Sequence, residues 1–343
     1  MDSSGVPVKR VDRTIWLFAL GYFVTYTPYL GLLKAMTAGR LPGVNRVDGL
    51  VILPSVIAGT VVMLPVAALL LGWWRHARIP SRAVVLSGFG TALIIATTTL
   101  AYTFRGVSIL FALLLLRGGV LMIAPIVDLV CKRRVRWFSS AALVITLAAV
   151  LVAIFGTNDH RLTLAAITNT GVYLVGYMLR LPMMTHCAKV EDRHATRCWF
   201  VEEMIVAMVF LAALPLAGAA LGVDSLRRGL TLMVSGSASA NVGFLIGTAY
   251  ASLYIFGTLI YLDRRENTFC IPLNRSASLI AGVAASYALS SVFGMPTPQW
   301  FELAGVGMIM VALMFLSPLH HIPEWMYAAA VQRLPLGQAR KGS

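Results

Sequence analysis

Charge is what this sequence has least of. Asp, Glu, Lys and Arg together make up 12% of its 343 residues, while hydrophobic residues make up 58%. A soluble domain carries about 25% charge, so a water-soluble globular fold is excluded. Acid is scarcest: 14 Asp and Glu stand against 28 Lys and Arg, and the first apolar run contains no carboxylate. Four cysteines, Cys131, Cys187, Cys198 and Cys270, show no disulfide spacing and are expected near the inner face, where thiols stay reduced. The chain also lacks a glycine-rich phosphate loop, a Ser-His-Asp arrangement and paired catalytic acids. His186, Cys187, His194 and Cys198 fit no zinc-finger spacing and read as interfacial clustering. An enzyme with a cofactor or metal is therefore not expected.

What is present is hydrophobic length. Crossing a hydrocarbon core of about 30 Å takes about 20 apolar residues. Ten runs qualify: 14–36, 49–74, 83–102, 107–131, 138–156, 163–186, 199–222, 241–262, 269–293 and 299–317. The first is read as a retained helix and not a removed signal peptide. The expected fold class is an all-α membrane protein with ten transmembrane helices. The net charge of +14 follows from topology: with a cytoplasmic N-terminus, eighteen of the 28 basic residues fall on inner segments and six on outer loops. Both termini are then cytoplasmic, and a basic inner face suits anionic lipid without nucleic acid. Trp16, Trp73, Trp74, Trp137, Trp199, Trp300 and Trp325 are expected near helix ends, as an aromatic belt. Loops are short, so helices consecutive in sequence are expected to pack as antiparallel neighbours. Segment 223–241 reads either as an outer loop or as a broken start of the eighth helix. Gly218 and Gly222 form a GxxxG face of the kind that packs membrane helices.

One stretch occurs twice. Residues 113–129 read LLLLRGGVLMIAPIVDL, and residues 271–287 read IPLNRSASLIAGVAASY, each with one arginine in an apolar run. Trp137-Phe138 and Trp300-Phe301 follow the two copies. The repeat divides the chain into a first five-helix unit, 1–156, and a second, 157–343, which ends in a short cytoplasmic tail. Five is odd, so the second unit enters upside down, the arrangement of transporters built from inverted repeats.

Arg117–Ile154 and Pro272–Leu316 resemble the drug/metabolite transporter superfamily of the ten-helix EamA type. The resemblance covers the last two helices of each half, under a third of the chain. The glutamate typical of the family's short loop is replaced by Lys132-Arg133-Arg134 in one half and Gly294-Met295-Pro296 in the other, and Val283 stands where a proline is usual. The resemblance implies a secondary carrier of small organic metabolites, in some relatives nucleotide sugars or sugar phosphates.

Arg117 and Arg275 are the candidate substrate-binding cations. A charge at mid-membrane costs about 2.5–3.5 kcal/mol on insertion scales, so it needs a partner. Asp128 lies three turns further in and is expected to serve Lys132 and Arg133. A bound carboxylate or phosphate would satisfy both arginines; the alternative is that each bonds the backbone carbonyls of a neighbouring helix. Lys34 and Arg180, near helix ends, are expected to snorkel to the interface. Tyr26 and Tyr29, Tyr173 and Tyr177, and Tyr250 and Tyr254 are spaced to share a face within their helices, where their hydroxyls would line a cavity or bond across helices. Glu202 and Glu203 are candidates for proton coupling, or else carboxylates favouring a helix N-terminus.

Together these features point to a secondary transporter of a small, anionic organic metabolite in the cell's inner or cytoplasmic membrane. A flippase for a lipid or lipid-linked carrier on the same fold is the alternative; a membrane-embedded enzyme or a non-transporting scaffold fits less well. The expected partners are the solute and the lipid bilayer, without nucleic acid or cofactor, and a homodimer is an arrangement the sequence permits.

Overall fold

The computed structural model describes residues 14–104, 106–130, 137–156, 164–187, 193–263 and 267–316. Among them are eleven α-helices: α1 (Thr14–Thr37), α2 (Gly49–Leu70), α3 (Arg82–Ala101), α4 (Ile109–Val130), α5 (Trp137–Gly156), α6 (Leu164–Cys187), α7 (Arg193–Ala220), α8 (Asp224–Val234), α9 (Ala238–Tyr261), α10 (Asn267–Phe293) and α11 (Trp300–Leu316). A 3-10 turn, Trp73–His76, follows α2. Six helices, α1, α2, α3, α7, α9 and α10, carry segments long and apolar enough to cross a membrane. The protein is thus a multi-pass helical membrane protein. Helix is the form the lipid requires, because each backbone N–H and C=O finds its partner within the same segment.

Segment 223–241 contains a helix that the sequence reading did not commit to. Gly222, at φ +90°, turns the chain out of α7, and α8 begins two residues later. Leu226 and Gly229 are buried against the bundle, whereas Arg227 and Arg228 are exposed. Arg227 Nε donates to the Ala219 carbonyl at 2.7 Å, capping the end of α7. The GxxxG reading is corrected here: Gly218 makes room for Leu226 of α8, and Gly222 is the turn itself, so neither serves a crossing of long helices.

The helices that pack most extensively are distant in sequence, contrary to the expectation for short loops. The most extensive pairs are α2 with α9, α3 with α6, α5 with α11, α1 with α9, and α1 with α10. Small residues explain the choice, since lipid offers no hydrophobic drive for helices to pair and close backbone approach is what attracts. A Cβ on Gly59 would lie 2.1 Å from the Phe244 carbonyl oxygen, and one on Gly247 would lie 2.0 Å from that of Val56. Gly90 and Gly176 oppose one another the same way where α3 crosses α6. Because backbone cannot yield as a side chain can, Gly247→Val is expected to destabilise the fold by the upper end of the 1–3 kcal/mol typical of overpacking. A lower melting temperature in detergent is the readout, and an unchanged one would refute the close crossing.

Candidate functional site

Polar side chains gather where α1, α3, α4, α6, α9 and α10 meet. Arg117 enters from α4 and is 4% exposed. Its Nη1 donates to Tyr173 Oη at 3.1 Å, and its Nη2 to Tyr26 Oη at 2.9 Å and Tyr22 Oη at 3.3 Å. Its Nε has no partner. The two tyrosine pairs around it are built alike: Tyr22 and Tyr26 stand one turn apart on α1 with centroids 5.4 Å apart, and Tyr173 and Tyr177 do so on α6 at 4.9 Å. Four-residue spacing on a helix stacks side chains on one face, which is why each pair presents both hydroxyls to the same side.

The network extends outward from there. Tyr26 shares a 2.7 Å hydroxyl bond with Tyr102, and Tyr29 one of 3.1 Å with Thr99. Tyr29 also packs against Tyr250 of α9 at 5.1 Å. Arg275, from α10, is 1% exposed and lies over the Tyr177 ring at 4.8 Å. Two of its nitrogens, Nε and Nη1, have no hydrogen-bond partner. Beside it, Asn274 accepts from Tyr261 Oη at 2.9 Å, while its Nδ2 is likewise unpaired. The structure thus brings both candidate arginines and all six candidate tyrosines into one tyrosine-rich neighbourhood. Among the described residues neither arginine bonds a helix backbone carbonyl; tyrosines surround them instead.

Arg180 does not snorkel. It turns inward and forms a two-pronged ion pair with Glu203, Nε to Oε1 at 2.9 Å and Nη2 to Oε2 at 3.1 Å. Glu203 is fully buried and accepts further bonds from Ser87 (2.6 Å), Thr91 (2.9 Å) and Tyr254 (3.3 Å). The physical reason is α3: Ser87 and Thr91, one turn apart, supply the donors that let a carboxylate leave water. Lys34 does reach toward the end of its helix, where its Nζ donates to the carbonyls of Phe104 (3.2 Å) and Val107 (2.5 Å) in the connection before α4. Glu202 faces away from Glu203's network, with Arg78 as its charged neighbour. Neither glutamate lies in the first turn of α7, which begins at Arg193, so neither serves that helix's N-terminus.

Two cavities adjoin these groups. A central one of about 50 Å³ is lined by Tyr22, Tyr26, Arg117, Tyr177, Arg180 and Asn274 among others. Arg275 is outside that lining, but Tyr177, whose ring it covers, is part of it. Ligand pockets usually measure about 300–1,000 Å³, so the centre as it stands has room for a few water-sized volumes and not for a solute. A larger cavity of about 590 Å³ opens at the end of the bundle where α1 finishes and α4 and α11 begin. Lys34, Arg40, Arg46 and Glu302 contribute its charge. Glu302, 4% exposed, accepts from the Ser108 hydroxyl and from Gln299 N at 3.1 Å, tying the start of α4 to the start of α11.

Sequence reasoning missed Tyr22, Tyr102, Tyr261, Asn274 and Glu302. Tyr22 could have been found, since Tyr22–Tyr26 repeats the spacing of Tyr173–Tyr177. Asn274, an amide beside a buried arginine in an apolar run, was legible too. Among the described residues the aromatic belt needs one correction: Trp199 is 3% exposed and sits well inside α7, because that helix starts six residues before it; the side chains of Trp137 and Trp325 lie outside those described. Cys198 and Cys270 are buried and in no disulfide, and Cys198 Sγ lies 3.5 Å from His194 Nδ1. Asp128, Lys132, Arg133, Cys131, His186 and Cys187 lie outside the residues whose side chains are described. No protein-family model matches the chain, and no curated protein matches its sequence.

Proposed function

We propose that this protein is a secondary transporter of a small organic metabolite bearing a carboxylate or phosphate. In this reading ten helices, α1–α7 and α9–α11, cross the membrane as two inverted five-helix repeats of the drug/metabolite transporter type, with α8 lying between two of them. The observation that carries it is the kind of group left unsatisfied at the centre. Arg117 Nε, Arg275 Nε, Arg275 Nη1 and Asn274 Nδ2 are buried without partners, and every one is a donor. A ligand that completes them is an acceptor, and a guanidinium fork matches the two oxygens of a carboxylate or phosphate.

The helix neighbours support the two-unit reading. Helix α1 packs on α9 and α10; α6, its counterpart in the second unit, packs on α3 and α4. Likewise α2 packs on α9 and α7 on α3. In this reading the arginines of the repeated stretch share the α6 tyrosine pair, one bonding Tyr173 and the other covering the Tyr177 ring. With the N-terminus inside, the 590 Å³ cavity is an outer vestibule, and alternating access requires the tyrosines around Arg117 to part.

Counterflow uptake into proteoliposomes, against a panel of anionic, zwitterionic and cationic metabolites, tests the proposal. Anionic solutes are expected to exchange, and accumulation of cationic drugs alone would overturn it. Uptake is expected to survive a protonophore, because both oxygens of Glu203 are committed to an arginine and three hydroxyls within the bundle.

A further inference from the structure

Resting on that reading, we propose that the solute occupies the central site as a dianion, carrying two negative charges on one small skeleton. The argument is a count of charge where lipid and protein exclude water. Among the described residues three guanidiniums, Arg117, Arg180 and Arg275, share the tyrosine cluster, each nine-tenths buried or more. One carboxylate, Glu203, touches any of them, and it neutralises Arg180. Its oxygens are already committed to Ser87, Thr91, Arg180 and Tyr254, so it has nothing left for a second arginine. Two positive charges remain, on Arg117 and Arg275.

Lys34 and Glu302 do not alter this count. Both line the vestibule, are opposite in sign, and are engaged locally with Phe104 and Val107, and with Ser108 and Gln299. The free donors are divided in the same way as the charge: one nitrogen on Arg117, and three on the adjacent residues Asn274 and Arg275. A monoanion would leave one guanidinium unbalanced in a medium where unbalanced charge is expensive. A dianion balances both. Phosphate monoesters and dicarboxylates share this chemistry, and they differ in that a phosphate gathers three acceptor oxygens on one atom whereas a dicarboxylate separates two pairs.

The test uses the full chain purified in detergent, reading thermal stabilisation by succinate and by glycerol 2-phosphate, each against its monomethyl ester. The diacid forms are expected to bind at least about a hundredfold more tightly than their monoesters. Whichever parent acid stabilises more strongly identifies the class. Arg275→Gln and Arg117→Gln are each expected to erase the preference, binding monoester and diacid alike, and Arg275→Lys to retain it. Tyr177→Phe removes the hydroxyl of the ring that Arg275 covers; the dianion preference is expected to survive this change. Equal binding of diacid and monoester by the unaltered chain overturns the dianion while leaving an anion carrier standing. Stabilisation by neutral or cationic solutes only would overturn the anion reading itself.

Discussion

Replacing Arg275 with leucine is expected to abolish counterflow while leaving the melting temperature in detergent equal to or above that of the unaltered protein. The two effects separate because of how this side chain is held. With Nε and Nη1 both unpaired, Arg275 gives the fold little hydrogen bonding to lose, and an apolar residue of similar reach removes a buried charge. Arg117→Ala is the companion case. Tyr26 keeps its bond to Tyr102, and the ring contacts Tyr22–Tyr26 and Tyr173–Tyr177 remain, so the bundle is expected to persist while uptake falls. Removing one partner of a buried charge-assisted contact typically costs 2–5 kcal/mol, a loss of about 30-fold or more in affinity. Normal uptake by both variants would refute the assignment. A collapse of the fold in both would mean that the arginines are structural.

Glu203→Ala is expected to have the opposite signature. Deleting this carboxylate strands Arg180 in a dry site and leaves Ser87, Thr91 and Tyr254 without their acceptor. Breaking one side of a buried pair costs about 3–5 kcal/mol, enough to unfold a marginal protein. Removing both partners together, as Arg180→Met with Glu203→Leu, is expected to recover most of the melting temperature, since neither charge is then left alone. The comparison also bears on coupling. A proton carrier replaced by Glu203→Gln would leave a folded protein with proton-independent exchange; a structural ion pair would leave a weakened fold. The second outcome is expected, with thermal melting and uptake measured on the same preparation.

How much of this was legible in the sequence depended on whether a residue's role is local. Helix positions followed from apolar length, because in lipid a long apolar run has one regular structure open to it. Arg117 and Arg275 stood out because a lone cation in such a run has no local explanation. The tyrosines were legible as stripes, since four-residue spacing is a property of one helix. Arg180 was misread because, although its partner lies on the next helix, α7, the hydroxyls that let the pair leave water come from α3 and α9, which are not adjacent to α6 in sequence. Lys34 is a related case: a helix-end lysine can reach water or loop carbonyls equally well, and only the positions of Phe104 and Val107 decide. Helix neighbours were misjudged because short loops constrain where a chain re-enters, whereas the glycine faces decide what it finally packs against.

The α2–α9 crossing sets a schedule for assembly. The hydroxyl of Thr60 donates both to Val56 O, one turn back at 2.9 Å, and to Gly247 O at 3.0 Å, on a helix synthesised 187 residues later. At about 5–20 residues per second, α2 waits about 10–40 s in the bilayer before its closest neighbour exists. During that interval the bond to Val56 keeps the hydroxyl satisfied, and the bare groove at Gly59 is filled by lipid tails that α9 must later displace.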